Sequence, residues 1–236
     1  FQTPFALAER VIPINGLIWM GDRDFMLQQI DQKLQEGYDC IKMKIGAIDF
    51  EQELSLLRYI RERFSADQVV LRVDANGAFS PSEAMQKLEK LTELDLHSIE
   101  QPIPAGQWQA MQLLCSTTPL PVALDEELIG QHEKERLLDL IQPQYLIFKP
   151  SLLGGIEETR EWIRLAEERS IGWWMTSALE SNIGLNAIAQ LTDTFAPQIP
   201  QGLGTGKLFH NNLESPLEIS QGQIHYRNSK SWESPA

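Results

Sequence analysis

The chain has 236 residues, 42% hydrophobic and 22% charged, with 15 Gly and 13 Pro, values that exclude a disordered or collagen-like polymer. Its 33 acidic and 20 basic residues give a formal net charge of -13, which disfavours nucleic-acid backbones and anionic lipid surfaces as partners. Cys40 and Cys115 are too few for a disulfide framework and lack metal-ligand spacing, so they read as buried thiols of a reducing compartment. With no span-length apolar run and no signal pattern, a cytoplasmic location is expected.

Short β-branched or aromatic runs alternate with longer amphipathic segments, as in parallel strands joined by crossover helices. In chain order, the pattern predicts a strand over Pro13 to Trp19, a helix over Phe25 to Gln35, a strand over Cys40 to Ile45 and a helix over Phe50 to Arg63. A strand over Val69 to Asp74 follows, then a helix over Pro81 to Thr92. Ser80 suits that helix start because Ser can cap free amides and Pro tolerates the first helical position. Strands over Ser98 to Glu100, Val122 to Asp125 and Tyr145 to Lys149 come next, followed by a helix over Gly155 to Arg169. The pattern closes with a strand over Gly172 to Thr176, a helix over Ile183 to Leu191 and a strand over Gln201 to Leu203. Eight strands in this alternation predict a closed TIM-like barrel, which usually takes about 250 residues as one domain. Leu217 to Tyr226 alternates apolar and polar residues and predicts one extra strand outside the barrel. Asn228 to Ala236 is expected to fray.

Barrel enzymes build their sites at strand C-terminal ends, and five successive strands here end in charge. Lys42 and Lys44 alternate onto one face of the second strand. Asp74, Glu100, Asp125 and Lys149 end the next four, at intervals of 26, 25 and 24 residues, about one strand-helix repeat each. Three converging carboxylates call for a cation between them, and an all-oxygen set suits Mg²⁺. The flanking lysines become acid/base candidates if the ion's field and desolvation lower their ammonium pKa values. A lone charged residue at a strand end is usually a cap or a surface pair; the ordered set of five argues for a site.

Lys-x-Lys, Asp-Ala-Asn, Ile-Glu-Gln-Pro, Asp-Glu and Lys-Pro, in this order and spacing, resemble the muconate-lactonizing branch of the enolase superfamily. Within it, Pro-Ile-Asn-Gly-Leu-Ile-Trp-Met-Gly, Ser-Ala-Leu-Glu-Ser-Asn-Ile-Gly and Gly-Leu-Gly-Thr-Gly most resemble the o-succinylbenzoate synthase family of menaquinone biosynthesis. The resemblance runs from about Ile12 to Asn212. It implies a (β/α)7β barrel, with Asp74, Glu100 and Asp125 as ligands of Mg²⁺, for which Mn²⁺ could substitute. It also implies Lys44 as the base that takes the α-proton, Lys149 as the opposing electrostatic group, and Lys42 as the group that keeps the Lys44 pKa low. The implied reaction is a syn loss of water through an enediolate from a succinyl-hydroxy-cyclohexadiene-carboxylate. Ser177, Gly204 and Thr205 fall where that family's loops surround the substrate's succinyl end.

Members of the family carry an N-terminal capping domain, and here little precedes the first strand. The expected organisation is a remnant of the cap-to-barrel connection at 1–11, the barrel at 12–213, and an extra strand and tail at 214–236. An inactive barrel without its cap is one alternative reading. A racemase of N-acylamino acids is another, as is a dipeptide epimerase, although that enzyme's Asp-x-Asp after the eighth strand is replaced here by Gly204-Thr205-Gly206. Gly202 to Lys207 is not a phosphate loop, because Leu208 stands where Ser or Thr is needed. His97, His132, His210 and His225 show no metal spacing, and Trp173-Trp174 reads as packing.

Overall fold

A computed structural model describes residues 1–233 and, for Lys207 and Leu208, the backbone alone. The strand expected over Pro13 to Trp19 is divided in two. Its start, β1 (Ile12–Pro13), pairs outside the barrel, while β2 (Gly16–Ile18) opens the barrel sheet. The alternation then follows as α1 (Arg23–Gln35), β3 (Cys40–Lys44), α2 (Phe50–Arg61), β4 (Val70–Asp74), α3 (Pro81–Thr92) and β5 (Ser98–Glu100). It continues as α4 (Trp108–Thr117), β6 (Val122–Leu124), α5 (Lys134–Ile141), β7 (Tyr145–Phe148), the short α6 (Pro150–Leu153), α7 (Ile156–Glu168), β8 (Gly172–Met175) and α8 (Asn182–Asp193). Asp22 and Asp49 cap α1 and α2 by accepting from free amides of the first turn. Ser80 stands before α3 as expected, but its hydroxyl donates to Glu83 Oε2 at 2.7 Å and caps no amide. A carboxylate three residues on is the stronger acceptor and captures the hydroxyl.

β2 to β8 form one parallel sheet in sequential order. The eighth strand, expected over Gln201 to Leu203, is reduced to two bridging residues: Gly202 pairs with Thr176 and Gln201 with Ile14. Gly202 N donates to Met175 O at 2.7 Å on one side; Gln201 N to Pro13 O at 2.8 Å and Asn15 N to Gln201 O at 2.9 Å close the other. Glycine is required here, since a Cβ on residue 202 would lie 2.5 Å from Thr176 Oγ1. The fully buried Gln201 side chain stands in for missing ladder partners, accepting from Met175 N at 2.8 Å and donating to Ile199 O at 2.7 Å. The sheet therefore closes as a TIM-like barrel. Leu54, Leu57, Leu88, Leu91 and Ile163 of the helices bury against its outside, and Ala123, Ile147 and Trp174 fill its inside. Cys40 and Cys115 are free and buried, and burial pushes their thiols up to about 11 and about 12.

The single strand expected over Leu217 to Tyr226 is a hairpin, β9 (Leu217–Ser220) and β10 (Gln223–Tyr226). Gln221 and Gly222 both take positive φ, 49° and 67°, the conformation that a two-residue turn needs to match strand twist. β10 pairs with β1, so Ile12 lies opposite Ile224. The segment before β1 is pinned too. Phe5 is fully buried, its N–H donates to Asp193 Oδ2 at 2.8 Å and its ring meets Tyr226 at 6.1 Å. The expected fraying does not hold up to Glu233, which exchanges hydrogen bonds with Glu214, and Lys230 pairs with Glu218; Ser234 to Ala236 lie outside the described residues. No helix of the described residues is long and apolar enough to cross a membrane.

Candidate active site

Register brings the charged strand ends together. Lys44 on β3 stands opposite Asp74 on β4, and Asp74 opposite Glu100 on β5, one strand spacing of about 4.8 Å apart at each step. Asp125 and Lys149 follow directly after β6 and β7, one residue past the ladders in which they were expected. β3 and β7 are four strands apart in an eight-stranded ring, so Lys44 and Lys149 approach from opposite walls. Both line one cavity of about 340 Å³, with Lys42, Ser177, Gly204 and Thr205. All the sequence-predicted site residues are thus gathered at one barrel mouth.

Asp74, Glu100 and Asp125 are at most 2% exposed, and each engages a lysine. Lys42 Nζ donates to Asp74 Oδ2 at 3.0 Å and to Glu100 Oε2 at 2.6 Å; Lys44 Nζ donates to Asp74 Oδ2 at 2.8 Å; Lys149 pairs with Asp125. Burial alone would lower the Lys42 and Lys149 ammoniums. The carboxylates outweigh it, Asp74 and Glu100 around Lys42 and Asp125 with Glu100 around Lys149, and hold both above the ordinary lysine value.

The acids respond unequally. Burial, followed by the Asp74 charge, pushes Glu100 well above the usual carboxylate range; for Asp74, Lys42 and Lys44 overcome burial and hold it low. Among the described residues no three His, Cys, Asp or Glu side chains form a ready-made metal cage, since the carboxylates turn to the lysines. The donor set nonetheless suits a hard divalent cation: three buried carboxylates on adjacent strands, with Glu100 Oε1 lacking any hydrogen-bond partner. More positive charge is what lets all three ionise together.

Several residues of the site were not singled out in the sequence. Asn15, Leu17 and Trp19 line the cavity, and their alternate positions in Pro13 to Trp19 were the available signal. Asn76 accepts from Lys44 Nζ at 2.6 Å and donates to Glu126 Oε1 at 2.9 Å. Both stood inside quoted motifs, Asp-Ala-Asn and Asp-Glu, without a role. The loop after β4 folds back because Asn76 N donates to Asp74 Oδ1 at 3.0 Å and Gly77 N to Gln101 O at 2.7 Å. Gln101 Oε1 in turn accepts from Asp125 N at 3.2 Å, tying two of the carboxylate positions to one loop. Ser177 Oγ accepts from Leu179 N at 2.9 Å and Glu180 N at 3.3 Å and meets the Thr205 hydroxyl at 2.8 Å, so the loop after β8 and the turn after the eighth strand are joined at the cavity wall.

A closed α/β barrel whose C-terminal mouth gathers lysines from opposite walls around three buried carboxylates has the architecture of the enolase-type barrels. The family model described as "Enolase C-terminal domain-like" matches residues 26–230, and the chain belongs to that family. It is 58% identical over 226 residues to the o-succinylbenzoate synthase of Desulfotalea psychrophila, covering 95% of this chain and 61% of that protein. The crystal structure of MenC from the same organism superposes with a TM-score of 0.89 at 55% identity, covering 95% of this chain and 63% of that one. The N-succinylamino acid racemase of Thermus thermophilus is 34% identical over 159 residues, covering 67% of this chain and 41% of the racemase. The chain spans about three-fifths of the length of the first two curated relatives it matches.

Proposed function

We propose that this barrel carries the catalytic groups of an o-succinylbenzoate synthase. The observation that carries the reading is the placement of Lys44 and Lys149 on opposite walls of one cavity, above the Asp74, Glu100 and Asp125 carboxylates, together with the relative at 58% identity. Asp74, Glu100 and Asp125 would hold Mg²⁺, with Mn²⁺ as a substitute, which would supply positive charge for the substrate carboxylate.

Lys44 Nζ takes the proton from the carbon next to the carboxylate, and the C–H electron pair moves into that carboxylate. Lys149, across the cavity, places its ammonium where the negative charge grows. Lys44 then gives the proton to the hydroxyl leaving from the same face; the C–O bond breaks, water departs and the ring becomes aromatic. Lys42 has a second role beside its like-charge effect on Lys44. It lies two residues before Lys44 on the same face of β3, and its ammonium bridges Asp74 and Glu100, so it keeps two like charges side by side. Ser177, Gly204 and Thr205 line the wall that receives the substrate's succinyl end.

The same pair of lysines also suits racemisation of an N-acylamino acid, with one lysine on each face of the α-carbon; the Thermus thermophilus relative favours keeping this second reading. The purified chain with Mg²⁺ is expected to form o-succinylbenzoate, and Lys44→Ala to lower kcat by about 10² to 10⁴, the usual worth of a positioned base. α-Proton exchange into N-succinyl amino acids in D₂O without dehydration would move the assignment to the racemase. A Lys44→Ala variant as active as the parent would sink both readings.

A further inference from the structure

We infer that Asn76 and Glu126 form a positioning relay that aims the Lys44 ammonium into the cavity. The inference rests on the proposed role of Lys44 as the proton-transferring group. Lys44 Nζ donates to Asn76 Oδ1 at 2.6 Å, and Asn76 Nδ2 donates to Glu126 Oε1 at 2.9 Å. An ammonium only donates and an ionised carboxylate only accepts, so the two contacts together admit a single orientation of the Asn76 amide. Without Glu126, the amide loses the acceptor on its Nδ2 and with it the contact that holds Oδ1 at the Lys44 ammonium.

The rest of Asn76 is built for this position. Its backbone sits at φ 44°, in the left-handed region that Asn tolerates better than most residues. It is held there by its own N–H on Asp74 Oδ1 and by Gly77 N on Gln101 O. Gly77 is itself at φ 73°, with Pro104 Cα 3.0 Å from where a Cβ would be, so the turn has one shape. Glu126 comes from the next carboxylate loop but one, fifty residues on. Its second oxygen is buried and has no partner among the described residues, which makes Asn76 the contact that orients the carboxyl. Lys44 is thereby tied on one side to Asp74 and on the other to an amide whose direction is set by a different barrel loop.

The relay is tested on the full chain with Glu126→Leu, Glu126→Gln and Asn76→Leu. Glu126→Leu and Asn76→Leu are expected to lower kcat for o-succinylbenzoate formation about tenfold or more, toward the 10²-fold that a misplaced catalytic group costs, with KM changed less than kcat. Glu126→Gln keeps an acceptor for Asn76 and should recover most of that loss. A second measurement is independent of turnover: trace acetylation of Lys44 by acetic anhydride, read by peptide mass spectrometry against Lys33 in the same molecule. Release of Lys44 should raise its relative rate about two- to tenfold in Glu126→Leu, the equivalent of one lost hydrogen bond, and leave it near the parent value in Glu126→Gln. Should the parent form no product, the function reading fails and the labelling still decides the relay. Unchanged kcat and labelling in Glu126→Leu, or equal effects of Leu and Gln, would overturn it.

Discussion

Glu53 is 1% exposed, and its Oε1 accepts from Gly46, Ala47 and Ile48 N–H at 2.6, 3.2 and 3.4 Å. These amides open the loop that follows Lys44, so a residue of α2 fixes the end of the strand that carries Lys44. Replacing it with Ala removes the acceptor of three part-buried amides and empties a buried site, where a donor left unpaired costs about 1–3 kcal/mol if water cannot reach it. Glu53→Ala is expected to destabilise the chain by about 2–3 kcal/mol in urea unfolding, while Glu53→Gln, which keeps an acceptor, stays within about 1 kcal/mol. At this scale the sequence was readable wherever a side chain carried charge at a strand end. It was silent where a role depends on a partner far along the chain, as with Asn76 finding Glu126 and Lys42 reaching up to Glu100.

Strands in the middle of the barrel were legible almost to the residue, because each is a short buried run bounded by turn residues and β4 and β5 continue straight into their charged ends. The two strands that close the ring were not. β2 shares its run with β1, which turns away to another sheet, and the eighth strand is two residues whose ladder is completed by side chains. Periodicity detects faces, and a strand completed by a glutamine amide has too little face to detect. Gln201→Met therefore tests the closure itself: with Met175 N–H left unpaired, unfolding in urea is expected to shift by about 2 kcal/mol. The exposed Gln198→Met should stay within about 0.5 kcal/mol. The hairpin was likewise read as one strand, because Gln221 does not advertise the left-handed turn it makes with Gly222.

The whole molecule carries a formal charge of -13 and buries part of that negative charge at one mouth. If Asp74, Glu100 and Asp125 bind Mg²⁺ in the folded state alone, saturating ion at about 100 times its Kd adds about 2.7 kcal/mol. The melting temperature should then rise by several degrees with Mg²⁺, and Asp125→Asn should blunt the rise. At the other end of the barrel interior, His97 packs on Tyr145 at 4.7 Å, and burial, then the Arg72 charge, lowers its pKa to about 4. The unfolded chain takes up that proton from about pH 6.5 downward and the folded chain refuses it until about pH 4, so this contribution to stability is complete above 6.5 and lost as pH falls through the interval. Between pH 7 and pH 5 the parent is expected to lose about 1–2 kcal/mol more than His97→Gln, measured by denaturant unfolding at each pH.

The pairing of Ile12 with Ile224 also sets an order of events. Contacts so distant in sequence form only after all the strands between them are in place, and their loop-closure entropy is repaid late. Until β10 arrives, β1 is an unpaired edge, and Ile14 N–H, which ends on Gly222 O at 2.8 Å, has no acceptor. The segment that opens the barrel is thus held in place from the far side of the whole ring of strands, and that seal lies at the opposite end of the barrel from the mouth that gathers the lysines and carboxylates.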